Sequence, residues 1–398
     1  MSPFSTAATV AAETLNATDS ANASDALRLT QTLLRMDTIN PPGNEDQCTQ
    51  YLAHLLDAAG YECQLFEFAP RRTTLVARIG GKANLLPICF TGHVDVVPLG
   101  SAAWTQAPFG ADIIDGKLYG RGASDMKSGV AAFVVAAIAL AEQIRDSAGL
   151  TLVITAGEET GCEGAFHLAA VEQAVSFMGR AGALVVAEPT ANEPLVGHKG
   201  AFWLRANTTG VTAHGSMPER GDNAIYKIAR AALALENYDF EQPPHALMGA
   251  PTLNVGTVRG GLNINSVPDA AVLTIDIRTV AGQDHRKIWG CLCSRLGEGV
   301  ALQTLLDVPS VYTPPEHPWM QRVIAHCQPL FSEPLQPKTV SYFTDAAALL
   351  APLGQPPTVI LGPGEPQMAH QTDEYCMVER IGEAEQLYRA IILDWCCP

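Results

Sequence analysis

Seven acid and imidazole side chains stand where apolar runs end. His93 and Asp95 close ICFTGHVD, Asp125 heads the stretch DMKSGVAAFVVAAIALA, Glu158 and Glu159 follow LTLVITAG, Glu188 follows ALVVA, and His370 lies in PQMAHQTDE. Any one of them alone is the ordinary satisfied loop residue. Taken together, the imidazoles of His93 and His370 and the carboxylates of Asp125, Glu159 and Glu188 suit two borderline divalent ions. Each ion would take one imidazole and one terminal carboxylate, and the two would share a bridging carboxylate. Asp95 follows His93 at i+2, so on an extended strand both face one way, and its carboxylate can accept the spare imidazole N–H. Adjacent Glu158 and Glu159 would point to opposite sides, leaving one to bind metal and the other to move a proton to or from a metal-acidified water. Spacing leaves open which does which.

The elements that must hold these residues alternate between strand and helix. Two amphipathic helices are expected over 25–60, broken at Asn40 to Gly43, with Gly60 as the helix C-cap. Alternating strands follow at Glu62–Phe68 and Thr73–Ile79, then the strand ANLLPICFTGHVDVV, a helix over Ser124–Ile144, the strand LTLVITAGEE, a helix from about Gly164 to Val175, and the strand ALVVAEPT. Buried runs such as LTLVIT, separated by helices, predict an α/β fold with a mainly parallel sheet covered on both faces. In such sheets ligands gather at the carboxyl ends of the strands, where His93, Asp95, Glu158, Glu159 and Glu188 fall. Near residue 199 the pattern changes to strand, helix, strand, strand and helix, which predicts a smaller α/β sandwich inserted into the larger unit. The expected division is a flexible leader over 1–24, a catalytic domain over 25–198 and 314–398, and an inserted lid or dimerisation domain over 199–313.

With 398 residues, 47% hydrophobic and 17% charged, the chain has the length and composition of a soluble globular protein of two domains. The apolar segment Gly129–Ala141 is too short to span a bilayer and reads as a buried helix, so no membrane association is expected. The first two dozen residues contain no Lys or Arg and no compact apolar stretch, unlike a secretory signal. The ten cysteines are scattered, which favours reduced thiols and a cytoplasmic setting. A formal charge of −16 excludes a nucleic-acid surface.

Seven stretches in order resemble one known family: GHVDVVP, LYGRGASDMKSG, AGEETG, AEPT, GVTAHGSMPERGDNAI, NINSVPDAAVLTIDIR and GPGEPQMAHQTDE. The resemblance is to the dizinc amidohydrolases and exopeptidases that include acetylornithine deacetylase, succinyl-diaminopimelate desuccinylase, aminoacylase and glutamate carboxypeptidase. It implies a zinc-peptidase-type sheet in which His93 and Glu188 hold one zinc, Glu159 and His370 hold the other, and Asp125 bridges them, with a cis peptide after Asp125. It makes Glu158 the general acid/base and Asp95 the orienter of His93. Cobalt or manganese would fit the same ligands. It also implies that His214 reaches a partner subunit's site to stabilise an oxyanion, and that Asn265 and Arg278 bind the substrate's carbonyl and carboxylate. Thr344, Asp345 and the Gly362–Gly364 turn align with substrate-side loops.

The expected activity is zinc-dependent hydrolysis of the amide of an N-acyl amino acid or similar carboxylate-bearing compound. Metal-bound hydroxide would attack, and the inserted domain would form a homodimer. A metallo-carboxypeptidase or dipeptidase is the alternative within the same chemistry, and a metal-free binding protein the alternative outside it.

Overall fold

The computed structural model describes residues 24–81 and 85–397. The leader expected over 1–24 lies outside them except for Ser24, whose hydroxyl caps the first helix, Asp25–Leu34, by accepting from the Leu27 N–H. The apolar runs form the middle of a six-stranded sheet in the order Glu62–Ala69, Arg72–Ile79, Leu150–Thr155, Ile88–His93, Ala183–Val186, Thr358–Ile360. The last four are mutually parallel, while the first two form an antiparallel hairpin joined to Leu150–Thr155. Ile88–His93, Leu150–Thr155 and Ala183–Val186 are buried throughout, because helices cover both faces. That burial is why these strands read as continuous apolar runs and not as alternating ones.

The helix Ser128–Ile144 lies at the centre of this arrangement, packed against Asp25–Leu34 and the C-terminal helix Val378–Cys396. The helical span Ala123–Ile144 has the length and composition to cross a membrane, but 78% of its apolar window is buried inside the protein. Gly129 lets its first turn seat closely: a Cβ there would stand 2.2 Å from the Ala187 carbonyl oxygen.

Two helix boundaries differ from expectation. Regular helix begins at Ser128, not Ser124, because Asp125 (φ −118°, ψ 94°) and Met126 (φ −136°, ψ 29°) form a wide, non-helical turn. The helix expected over 164–175 is split into Glu163–Ala170 and Glu172–Met178 by extended Val171.

A second, antiparallel sheet has the order Thr252–Gly260, Ala270–Thr279, Gly200–Thr209, Ala301–Val308. Burial alternates along Gly200–Thr209 and Ala270–Thr279, as expected of a sheet with one covered face. The helices Ala224–Glu236 and His285–Leu296 cover it, enclosing Phe202, Leu204, Ile228, Leu273, Ile275 and Leu292. Asn223 caps the first of them by accepting from Ile225 and Tyr226 N–H. The fourth strand, Ala301–Val308, was not among the expected elements: it is a mostly exposed edge whose sequence, ALQTLLDV, lacks clean alternation.

Gly129→Ala should destabilise the fold by about 1–3 kcal/mol, the usual cost of overpacking a filled site. Denaturant unfolding of the variant measures this, and unchanged stability would show that the helix can withdraw from Ala187.

Candidate metal centre

The central strand Ile88–His93 runs in parallel register between its neighbours, with His93 opposite Thr155 and Thr91 opposite Val186. Their carboxyl ends are therefore level. Glu158 and Glu159 lie just beyond Thr155, and Glu188 just beyond Val186, so all reach the mouth of the sheet beside His93. The chain leaving Thr358–Ile360 makes the Gly362–Gly364 turn and then brings in His370.

Asp125 occupies the middle of the cluster. Its Oδ1 is 3.2 Å from His93 Nε2 and its Oδ2 is 3.4 Å from His370 Nε2, so one carboxylate faces two imidazoles with different oxygens. Glu159 Oε2 lies 3.0 Å from His370 Nε2. On the other side, Glu188 Oε1 and Glu158 Oε2 lie 3.9 and 4.0 Å from His93 Nε2. The peptide Asp125–Met126 is cis.

Asp95 does more than face His93. The His93 Nδ1 is closest to the Asp95 carbonyl oxygen, at 3.0 Å, with the carboxylate at 3.5 Å, so Nδ1 donates and Nε2 is the nitrogen left to bind. The fully buried Asp95 carboxylate also accepts from the Glu158 N–H at 3.1 Å and the Glu159 N–H at 3.2 Å. Asn40 Nδ2 donates to it at 2.9 Å. One residue thus holds three of the functional residues in register, His93 through its carbonyl and the two glutamates through its carboxylate. Sequence reasoning placed Asn40 only in a turn; a contact with a residue 55 positions away leaves no trace in local spacing.

The donor set fits divalent metal. Four carboxylates, Asp125, Glu158, Glu159 and Glu188, crowd around two imidazoles, and Glu159 Oε1 is buried with no hydrogen-bond partner among the described residues. One ligand atom each from His93, Asp125 and Glu159 lies within 4.8 Å of the others. Without metal the protein compensates with protons. Burial pulls His93 down, but its hydrogen bonds to Asp125 and Asp95 outweigh that and hold the imidazole well above its ordinary value. Hydrogen bonds to Asp125 and then Glu159 push His370 up to about 10. Burial and neighbouring carboxylates raise Glu158, Glu159 and Glu188, whereas the two imidazoles hold Asp125 below the usual carboxylate range despite its burial.

The remaining expected residues stand apart from this cluster or are turned to other partners. His214 is exposed, and its Nδ1 accepts from the Ser216 N–H at 3.2 Å, so the proton sits on Nε2, away from Ser216. Asn265 is exposed on the loop after Thr252–Gly260. The Arg278 guanidinium pairs with Asp276 at 2.9 Å and lies 5.8 Å from the Trp203 ring centre. Thr344 is buried, and its hydroxyl accepts from the Ala346 N–H at the start of a helix. Asp345 is buried, accepts from the Thr155 hydroxyl, and is pushed up to about 6 by burial. Gly364 makes room for protein backbone: a Cβ there would meet the Ser124 carbonyl oxygen at 2.1 Å.

Fold and cluster are those of a metal-dependent hydrolase. The sequence profile of peptidase family M20/M25/M40 matches residues 89–394, and the chain belongs to that family. It is 30% identical to a probable succinyl-diaminopimelate desuccinylase of Staphylococcus aureus (strain Mu50 / ATCC 700699), over 89% of this chain and 95% of that one. It is also 30% identical to the acetylornithine deacetylase of Proteus mirabilis (strain HI4320), over 87% and 89% respectively. Among solved structures, an M20 family metallo-carboxypeptidase from Sulfolobus solfataricus superposes with a TM-score of 0.74 at 18% identity, covering 93% of this chain and 98% of that one.

The His370 imidazole titrates near 6.5 in an unfolded chain and at about 10 when folded without metal. Its raised value stabilises the metal-free fold fully below 6.5, and that stabilisation is lost as the pH climbs towards 10. Chelator-treated protein should therefore lose thermal stability through this window, while protein supplied with metal, which replaces the protons, loses less. Tm measured with and without metal across this range tests it; a constant gap between the two would contradict the picture.

Proposed function

We propose that the protein is a zinc-dependent deacylase, hydrolysing the amide bond of an N-acyl amino acid or a similar small carboxylate-bearing amide. The observation that carries this reading is Asp125, whose two oxygens each face a different imidazole. His93 and Glu188 would hold one ion, His370 and Glu159 the other, with Asp125 between them. Two divalent ions held there would polarise the amide carbonyl and bring the pKa of a water down to about 7.

The protein's own groups do the rest. Glu158 has no ligand duty in this scheme and sits buried beside His93, where it takes a proton from the attacking water and returns it to the leaving amine. Its nearest side-chain hydrogen bond is a long one from the Cys162 thiol, 3.9 Å away, so the carboxylate is not tied down by a strong partner. Asp95 holds the His93 ring and both glutamate N–H groups, so ligand and base are oriented by one residue. Arg278, its plane set by Asp276, is assigned to the substrate carboxylate, and Asn265 to the carbonyl. The names of the two curated relatives support an N-acyl amino acid over a dipeptide.

We further assign His214 an oxyanion-stabilising role supplied to a partner subunit. Among the described residues its hydrogen bonds are with Ser216 and made by Nδ1, not with the cluster of its own chain, which leaves Nε2–H to donate elsewhere. The second sheet offers the means of association. Its edge strand Thr252–Gly260 pairs with Ala270–Thr279 on one side and, among the described residues, with no strand on the other, and Leu262 and Ile264 beside it are 99% and 103% exposed. Residues 199–313 would thus act as both lid and dimerisation domain.

Glu158→Gln should retain its metal and lose about 10²–10⁴ in kcat, the usual size of an acid/base contribution. His214→Ala should lose about 10²–10³, and mixing the two variants should recover activity through hybrid dimers. Sedimentation and turnover of the mixture check both points; a monomer, or a mixture no better than its parts, would count against the shared site. Across a panel of N-succinyl and N-acetyl amino acids and dipeptides, a preference for dipeptides would replace deacylase with dipeptidase.

A further inference from the structure

The cluster requires two segments distant in sequence, the Asp125 turn and the His370 loop, to meet at a fixed separation. What joins them is a buried carboxylate outside the ligand set. Glu374 is 0% exposed and four residues beyond His370. Its Oε2 accepts from Arg121 Nη1 at 2.7 Å and the Gly122 N–H at 2.9 Å. Its Oε1 accepts from the Ser124 N–H at 2.8 Å and the Asp125 N–H at 3.0 Å. All four partners are donors, and three are backbone groups of the single turn that ends at Asp125.

The need for such an acceptor follows from the local backbone. Ser124 and Asp125 stand at the start of the helical segment, directly after left-handed Gly122 (φ 88°), so their N–H groups have no carbonyl of a preceding helical turn to bond. Buried donors left unpaired cost about 1–3 kcal/mol each, and a carboxylate, with two acceptor oxygens and negative charge, satisfies several together. Ser124 adds a second tie: its hydroxyl donates to the Tyr375 carbonyl at 2.6 Å and accepts from the Glu365 N–H at 2.8 Å. The loop carrying His370 is therefore fastened on both sides, at 365 and at 374–375, to the two residues that end in Asp125. Beyond it, Tyr375–Met377 pairs with Lys117–Tyr119, which leads into the same turn.

We propose that Glu374 is a positioning residue for the metal centre: it sets the direction of the Asp125 carboxylate and its distance from His370, and so governs the affinity of both ions. The inference rests on the assignment of Asp125 as the shared ligand. It concerns a residue outside the proposed ligand set, which acts through Arg121 and the backbone of the turn from Gly122 to Asp125. Glu374→Gln keeps the size of the side chain but turns an NH₂ group towards donors that require an acceptor.

The test is metal affinity. Wild type and Glu374→Gln, stripped of metal, are titrated with Co²⁺ against a chromophoric chelator, following the visible absorption of the bound ion alongside folding by circular dichroism. The expected result is a folded variant that binds both ions about 10–100-fold more weakly, with an altered Co²⁺ spectrum. Its kcat should recover at high metal concentration and its KM should change little. Wild-type affinity and spectrum in the variant, or weakening of only one ion, would overturn the proposal. So would a fall in Tm with metal binding unchanged, which is what a purely structural role produces. If wild type itself takes up no metal, the reading of the cluster fails instead, and the two failures are told apart in one experiment. Should Glu374→Gln not fold, Glu374→Asp, which keeps the charge but withdraws it by one methylene, is read by the same criteria.

Discussion

The structure depends on keeping several carboxylates together, in a place largely shut off from water, against their mutual repulsion. Asp95, Asp125, Glu158 and Glu188 are buried or nearly so and lie around two imidazoles at the mouth of one sheet. Burial disfavours the charged form of each, and each neighbour makes the next harder to ionise. Such an arrangement persists only where cations or protons offset it and where the backbone leaves the side chains no room to turn away. The raised imidazoles and glutamates are the protonic form of that balance, and divalent metal is the form the donor set suits.

Rigidity comes from carboxylates used as acceptors for main-chain N–H groups, not from ligand contacts alone. Asp95 takes the N–H groups of both glutamates, and Glu374 takes those of Gly122, Ser124 and Asp125. Glycines complete the fit by removing side chains where backbones must touch: Gly129 and Gly362 both lie against Ala187, and Gly364 lies against Ser124. Each of these contacts joins two of the segments that carry ligands. The cluster is thus framed by backbone-to-backbone approach and by carboxylates, both of which resist deformation better than long flexible side chains.

Legibility in the sequence followed the range of the interaction. The parallel strands were readable because burial on both faces removes polar residues from a continuous run, as in LTLVIT and ALVV. The residues just past those strands were readable as chemistry because strand ends open onto one crevice. The edge strand Ala301–Val308 was not readable, since an exposed edge carries little of the hydrophobic pattern that marks a strand. The true start of the central helix was also hidden. Composition continues helix-like through Ser124 and Asp125, while contacts from 250 residues away hold that turn open. Thr344 and Gly364 stood in substrate-side motifs, yet the hydroxyl of one caps a helix and the other clears space for Ser124.

By itself the sequence determined which residue types are available and roughly which strand ends carry them: two imidazoles, a lone aspartate before an apolar helix, and paired and single glutamates after buried strands. These are local properties, set by burial periodicity and by neighbours within a few residues. The family resemblance implied that Asp125 is shared, that Glu159 goes with His370 and that Glu188 goes with His93; only the tertiary structure set the two Asp125 oxygens against different imidazoles and brought Asn40 and Glu374 in to hold the frame. The physical reason is that a carboxylate's orientation is fixed by the donors that surround it in space. Those donors come from segments whose separation along the chain places no constraint on spacing, and they come within hydrogen-bonding reach only when the fold closes.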